Sequence, residues 1–285
     1  MSVVAAGGDR AELREIHGPA ALGGPWRRFW SLTWLVAVTE FRLSYFGSVL
    51  GYFWSLVRPL MLFGVLYVVF TQVVNFGGGI KDYPVVLLLN VVLFSFFTEA
   101  TTASVVSVLN REALVRKMQF PRMVIPVSIV LTATFNLLLN LVAVLAFIVV
   151  YGVTPLWTWL LFPLLLVPLV AVASGVAMLL SALYVRYRDV QPIWGVAATL
   201  LFYGTPVLYV YSSVPESAQR LILCNPLAVI LEQARHWVID PSAPSAVEAI
   251  GGWGWLMIPV AIGIAICWLG FRVFDREAPR IAERL

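Results

Sequence analysis

Long apolar runs alternate with short polar breaks along this chain, and the runs predict its elements. Six stand out, at residues 49–74, 85–109, 124–150, 156–184, 190–210 and 253–274. Each reaches the roughly 20 residues that a helix needs to cross a bilayer. Helices are the expected form, because lipid cannot satisfy backbone polar groups and barrel strands would be shorter and would alternate. The predicted fold is all-α and integral to a membrane, with six transmembrane helices. The Tyr151-Gly-Val-Thr-Pro155 turn separates the third run from the fourth.

The segments between the runs carry their own patterns. Residues 1–25 hold Gly, Pro and charges with no apolar run, which reads as a flexible cytosolic tail rather than a signal peptide. Residues 26–285 then form a single transmembrane domain. In 26–46, Arg27, Arg28, Ser31, Thr39 and Arg42 interrupt Phe29, Trp30, Trp34, Ala37, Val38 and Phe41. That spacing suits an amphipathic helix lying in the interface; a plain anchor before the first span is the alternative. Residues 110–122 read NREALVRKMQFPR, a helix-compatible run broken at Phe120-Pro121. This is either an ordinary basic loop or a docking helix for a cytosolic partner. Residues 211–252 form the longest connection. Two helical patterns begin near Pro215 and Pro226, and Leu221, Ile222, Leu227 and Ile230 are too apolar for a free aqueous loop. Two short helices dipping back into the outer leaflet fit this segment, as does a folded cap.

Composition sharpens the class. Of 285 residues 61% are apolar and 12% charged, with a mean hydropathy of +0.90. A soluble domain carries about a quarter charged residues. The net charge of +4 is not gathered on a solvated face, so no nucleic-acid partner is expected. Cys224 and Cys267 are too few for a disulfide framework or a metal cluster. The basic residues are sorted. One set of connections holds Arg27, Arg28, Arg42, Arg111, Arg116, Lys117, Arg122, Arg186, Arg188, Arg272, Arg276, Arg280 and Arg284; the other holds Lys81, Arg220 and Arg235. The positive-inside rule then places both termini in the cytosol.

Arg58 and Glu99 break the sorting, since both fall inside apolar runs. Intramembrane charges face a partner or a water-filled cavity. At 1.5 Å per residue both lie roughly 13–15 Å from the cytosolic edge, so a pair between spans one and two is possible. Pro59 offers the alternative that the first spanning helix starts there, leaving Arg58 at the interface. Thr98, Thr101 and Thr102 sit beside Glu99 and extend a polar stripe. Aromatic residues make up 13% of the chain. Interface belts and helix packing account for many, but Tyr52, Tyr67 and Tyr203 are candidates for stacking on sugar rings.

Catalytic signatures are missing. The phosphate-cradling G-x-x-x-x-G-K-[ST] pattern needs a lysine after glycine, whereas Lys81 follows Ile80 and Lys117 follows Arg116. No zinc spacing and no nucleophile elbow occur. The expectation is a transport subunit that binds no cofactor and is not an enzyme.

With this layout, the chain resembles the permease subunit of type-2 ABC exporters for polysaccharides, the family of O-antigen, teichoic acid and cell-wall galactan exporters. The resemblance covers nearly all of 26–285. It is carried by Arg42-Leu-Ser-Tyr45, Ser48-Val-Leu-Gly-Tyr-Phe-Trp-Ser55, Arg58-Pro59, Asn110, Leu114-Val-Arg-Lys117, Phe120-Pro-Arg122, Arg186-Tyr-Arg-Asp189, Thr205-Pro206 with Tyr209, and Asn225-Pro226. It implies a homodimer working with two copies of a cytosolic ABC ATPase, which bind the ATP and magnesium. It implies that 110–122 is the coupling helix, with Glu112, Arg116, Lys117, Phe120, Pro121 and Arg122 meeting the ATPase. It implies an interfacial helix at 26–46, near which a polyprenyl-diphosphate-linked glycan enters from the cytosolic leaflet of the bacterial inner membrane. The substrate path would involve Arg42, Tyr52, Arg58, Tyr67, Glu99 and Tyr203, and the gate Pro215, Leu221, Asn225 and Pro226. Two alternatives stand beside this: a type-2 permease for a drug or lipid, and a membrane transporter or scaffold needing no ATPase.

Overall fold

A computed structural model describes residues 25–45, 51–74, 80–111 and 121–284, and all regular structure among them is helical. Helix α1 spans Pro25–Tyr45. Helix α2, Gly51–Val68, continues into a π-helical turn at Val69–Val73. Helix α3 is Tyr83–Val105, followed by the single turn α4, Ser107–Asn110. Helix α5 is Val124–Tyr151. A 3-10 turn at Trp157–Leu161 leads into α6, Phe162–Arg186. Then come α7, Val190–Gly204, the short α8, Glu216–Leu223, and α9, Pro226–Val238. The one-turn α10, Ala246–Ile250, precedes α11, Trp253–Arg284.

Five of these segments are long and apolar enough to cross a membrane: Phe53–Val73, Tyr83–Val105, Val124–Tyr151, Trp157–Arg186 and Trp253–Glu277. The fifth apolar run differs from expectation. Its helix stops at Gly204 after 15 residues, about 22 Å of rise, less than a full hydrocarbon core. Pro206 explains the stop: it has no N–H to donate, and it biases its predecessor away from helical geometry. Thr205 is accordingly extended, with φ −97° and ψ 142°. The freed carbonyls are met from α3. Asn90 Nδ2 donates to the carbonyl of Pro206 at 3.2 Å, and the Tyr83 hydroxyl donates to that of Leu208 at 2.8 Å. Irregular backbone at membrane depth is tolerated where protein buries it in this way.

Helix α3 is the hub. Val85, Leu87, Leu88, Val91 and Leu93 are almost wholly buried, and it packs against α2, α5, α6, α7 and α9. Helices α6 and α11 approach backbone to backbone. A Cβ placed on Gly175 would lie 2.8 Å from the Cα of Cys267, and one on Gly270 would collide with the Gly175 carbonyl. Small residues at such a crossing let two apolar helices gain close van der Waals contact, which is what holds helices together in lipid.

The two ends of the bundle differ. Val108, Ile125, Met178, Ala182, Val185 and Phe274 form one apolar cluster. It joins the end of span two, the start of span three, the end of span four and the last span. The basic residues Arg111, Arg122, Arg186 and Arg272 flank these positions. Tyr211, Leu223, Ala228 and Ile250 form a second cluster within the 211–252 connection. The basic-rich connections thus gather at one end of the fold.

Candidate functional site

The candidate site starts where α1 meets the spans. Thr33, Ala37 and Tyr45 recur at helical spacing and are buried. Phe135 of α5 receives Trp34 and Phe41 edge-on, with ring centroids 5.4 and 5.5 Å away. The Thr132 hydroxyl donates to the carbonyl of Ala37 at 3.3 Å. These contacts of α1 fall on Thr132, Phe135 and Asn136 of α5.

Polar side chains fix this packing at two points. Arg111 pairs with Glu40 of α1 at 2.7 Å and also donates to the Ser128 hydroxyl at 3.3 Å. Farther along α5, the Tyr45 hydroxyl donates to Asn136 Oδ1 at 2.6 Å, and Asn136 Nδ2 donates to Glu99 Oε1 at 2.5 Å. Glu99 is exposed on the surface of this chain. Arg58, also exposed, attracts it electrostatically. The expected pairing of spans one and two is thus a longer-range attraction, and the carboxylate's hydrogen bond comes from span three.

The other predicted path residues lie on α1, α2 and α7. Arg42 is exposed in the last turn of α1. Tyr67 is half-buried and stacks on Phe63 at 5.8 Å. Tyr203 is exposed near the end of α7. Tyr52 lies on α2, and its side chain falls outside the described residues. A cavity of about 260 Å³ lies elsewhere, between α6, α9 and α11, and its lining includes Pro168, Val172, Pro226, Ile230, Gly263 and Cys267.

In the 110–122 connection, Glu112, Arg116, Lys117 and Phe120 lie outside the described residues. Pro121 is exposed and Arg122 half-buried, and their carbonyls accept from the first amides of α5. At the 211–252 connection, Pro215 precedes α8 and Leu221 is exposed on it. Asn225 caps α9: its side chain accepts from the Leu227 amide at 3.0 Å and donates to the Thr205 hydroxyl at 2.8 Å. That second bond ties α9 to the break after α7. Both predicted helical patterns are helices; Pro226 sits at the first helical position, where its missing N–H costs nothing.

Sequence reasoning missed several polar residues here. Glu232 and Arg235 of α9 form a buried ion pair at 3.1 Å. Burial pushes the Glu232 carboxyl above its ordinary value, and the Arg235 guanidinium opposes the shift. Asn136, Tyr45 and Glu40 were also missed. An Asn in an apolar run, four residues before Asn140, was the signal for the first of these. Among the described residues no group of three or more His, Cys, Asp or Glu is placed to hold a metal.

Comparison with known proteins fits this architecture. Residues 31–238 match the family model described as ABC-2 type transporter. The chain is 29% identical over 254 residues to the O-antigen export system permease protein RfbA of Klebsiella pneumoniae, covering 88% of this chain and 94% of the relative. A permease of the same name from Myxococcus xanthus is 27% identical over 248 residues, covering 86% and 92%.

Proposed function

This chain belongs to the ABC-2 type transporter family, and from that premise we propose that it is the inner-membrane permease of an exporter for a lipid-linked polysaccharide. Two copies of the chain form the translocation unit, and two copies of a separate cytosolic ATPase supply and bind ATP and magnesium. The observation that carries the reading is likeness along almost the whole chain to permeases named for O-antigen export.

Several features support its parts. The basic-rich end of the bundle faces the cytosol, in keeping with the positive-inside rule. Both termini lie there, with 1–25 as a tail and six crossings in all. Residues 110–122 at this end act as the coupling segment. Helix α1 lies in the cytoplasmic interface, its exposed Trp26, Trp30 and Trp34 at headgroup level. Arg42 and Arg58 attract the diphosphate as the lipid-linked substrate arrives, because charge-assisted hydrogen bonds from guanidinium suit phosphate oxygens. Exposed intramembrane charges such as Arg58 and Glu99 need water or a partner, and a hydrated path between two copies of the chain supplies it. Helices α8 and α9 form the gate at the outer mouth, re-entering the outer leaflet.

The experiment is co-purification with a candidate cytosolic ABC ATPase from the same organism, followed by export in cells lacking the native permease. Stable retention of the ATPase and surface glycan are expected. Phe120→Ala with Arg122→Glu is expected to release the ATPase and stop export. Full retention and export in that variant would end the coupling assignment; export of a drug or phospholipid but no glycan would favour the other substrate class.

A further inference from the structure

The Asn136 carboxamide is used at both ends, and its two partners come from different helices. It accepts from Tyr45 on α1 and donates to Glu99 on α3. The partners fix the amide's orientation. A carboxylate only accepts, so the NH₂ must face Glu99, and the oxygen is left to accept the phenolic proton. Reversed, the amide would set oxygen against oxygen at Glu99. A carboxamide offers both functions across a rigid plane, and Gln is longer by one methylene.

Tyr45 is nine-tenths buried and its ring meets Phe41 edge-on at 5.0 Å. It ends α1, immediately before the connection that leads to α2 and Arg58. Any motion of α1 away from α5 must break the bond from Tyr45. The amide is then free to rotate, and the Glu99 carboxylate loses the donor that orients it.

We propose that Asn136 is a positioning residue that holds the Glu99 carboxylate in the translocation path and makes its orientation depend on α1 being docked. The inference rests on the reading of Glu99 as path-lining. The oriented carboxylate keeps lone pairs free to accept from sugar hydroxyls and repels a diphosphate. It therefore acts on the glycan portion of the substrate, while the arginines serve the lipid-linked diphosphate.

The test exchanges donor and acceptor. Asn136→Asp keeps an acceptor for Tyr45 but sets two carboxyl groups together. Adding Glu99→Gln restores a donor–acceptor pair with its direction reversed. The complex of permease and ATPase in proteoliposomes is assayed for export against lipid-linked glycan concentration, and amide hydrogen exchange is followed along α1. Asn136→Asp is expected to raise the half-saturating concentration by at least about tenfold, as loss of a charge-assisted hydrogen bond does. Tyr45→Phe, which cuts the tie from α1 and keeps the ring, is expected to speed exchange in α1 and to raise the half-saturating concentration as well, with ATPase retention unchanged. The double variant relieves the clash of two carboxyl groups but removes the Glu99 charge, and its export is expected to stay low. An unchanged half-saturating concentration in Asn136→Asp, a Tyr45→Phe that speeds exchange in α1 without raising it, or full export in the double variant would overturn the proposal. If the unmutated complex exports no glycan, the functional reading itself fails, and exchange in α1 still decides whether the tie exists.

Discussion

Two carboxylates, each set against apolar surroundings, are treated in opposite ways. Glu232 is 3% exposed and pairs with Arg235 on the same helix. Its partner is three residues away, so the pair travels with α9 as one rigid unit. Glu99 is exposed and bonded to Asn136 on another helix, which is bonded in turn to Tyr45 on a third. That arrangement survives only while α1, α3 and α5 keep their places. A buried pair on a single helix stabilises a local shape. An exposed acid held across three helices reports their relative position, and its cost in a membrane is met only by water or a partner.

The contrast is open to attack, beginning with the enclosed pair. Arg235→Ala leaves the Glu232 charge buried without its cation, and removal of one partner from such a pair costs about 3–5 kcal/mol. Thermal unfolding of the detergent-solubilised protein should show this as the largest loss of stability. Replacing both residues by Leu should recover most of it, because the buried charges vanish together. Equal losses in the single and double variants would mean that the pair matters for more than its charge balance.

The rigid half should also resist change at its tightest helix crossing. Gly175→Leu forces a side chain into the Cα of Cys267, where even a Cβ would lie 2.8 Å away. Overpacking of this kind costs about 1–3 kcal/mol or more, measured by the same unfolding assay. Gly64→Leu, on α2 where no neighbour lies within 4 Å of an added Cβ, should cost far less.

Glu99→Gln should behave unlike either. It keeps an acceptor for Asn136, so stability should move by no more than about 1 kcal/mol, the net worth of one hydrogen bond. Export should nonetheless fall by about tenfold, equivalent to 1.4 kcal/mol. Loss of both together would place Glu99 in the same structural class as Glu232. The Glu40–Arg111 pair is partly exposed, with side chains 45% and 18% accessible. Breaking it with Glu40→Gln should cost only about 0–1 kcal/mol of stability.

The smallest effect is a pH dependence at α10. The Ser245 backbone and side-chain hydrogen bonds hold the Glu248 carboxyl below its ordinary value, as half of a capping box. A depressed carboxyl contributes stability above its unfolded-state pKa and loses it as pH falls through the folded-state value. Melting curves of the unmutated protein and Glu248→Gln should therefore differ at neutral pH and converge in acid.

Much of this architecture was legible because membrane helices advertise themselves. Long apolar runs marked five helices of crossing length, and the basic residues flanking them gather at one end of the fold. The fifth apolar run reaches Val210 because Val207, Leu208 and Val210 are apolar, whereas its helix ends at Gly204. The Thr205-Pro206 signal was present in the sequence, and hydropathy overrode it. The Asn136 tie was not legible. An amide in an apolar helix, one of two in α5 with Asn140, predicts a partner but does not say which of several spans supplies it. The buried Glu232–Arg235 pair was hidden for a related reason: at three residues' spacing it looks like any solvated helix face. Gly175 and Gly270 were equally silent, since the close approach that requires them exists only between two helices.

The central claim is ATP-driven passage of a lipid-linked glycan, and sealed vesicles with the ATPase on the outer surface test it most directly. Glycan should become protected inside the vesicles only with ATP, with the partner ATPase and with an intact Glu99, while Glu99→Gln vesicles hydrolyse ATP and accumulate far less. Glycan crossing without ATP or the partner, or no protected glycan at all under sustained ATP hydrolysis, would contradict the account.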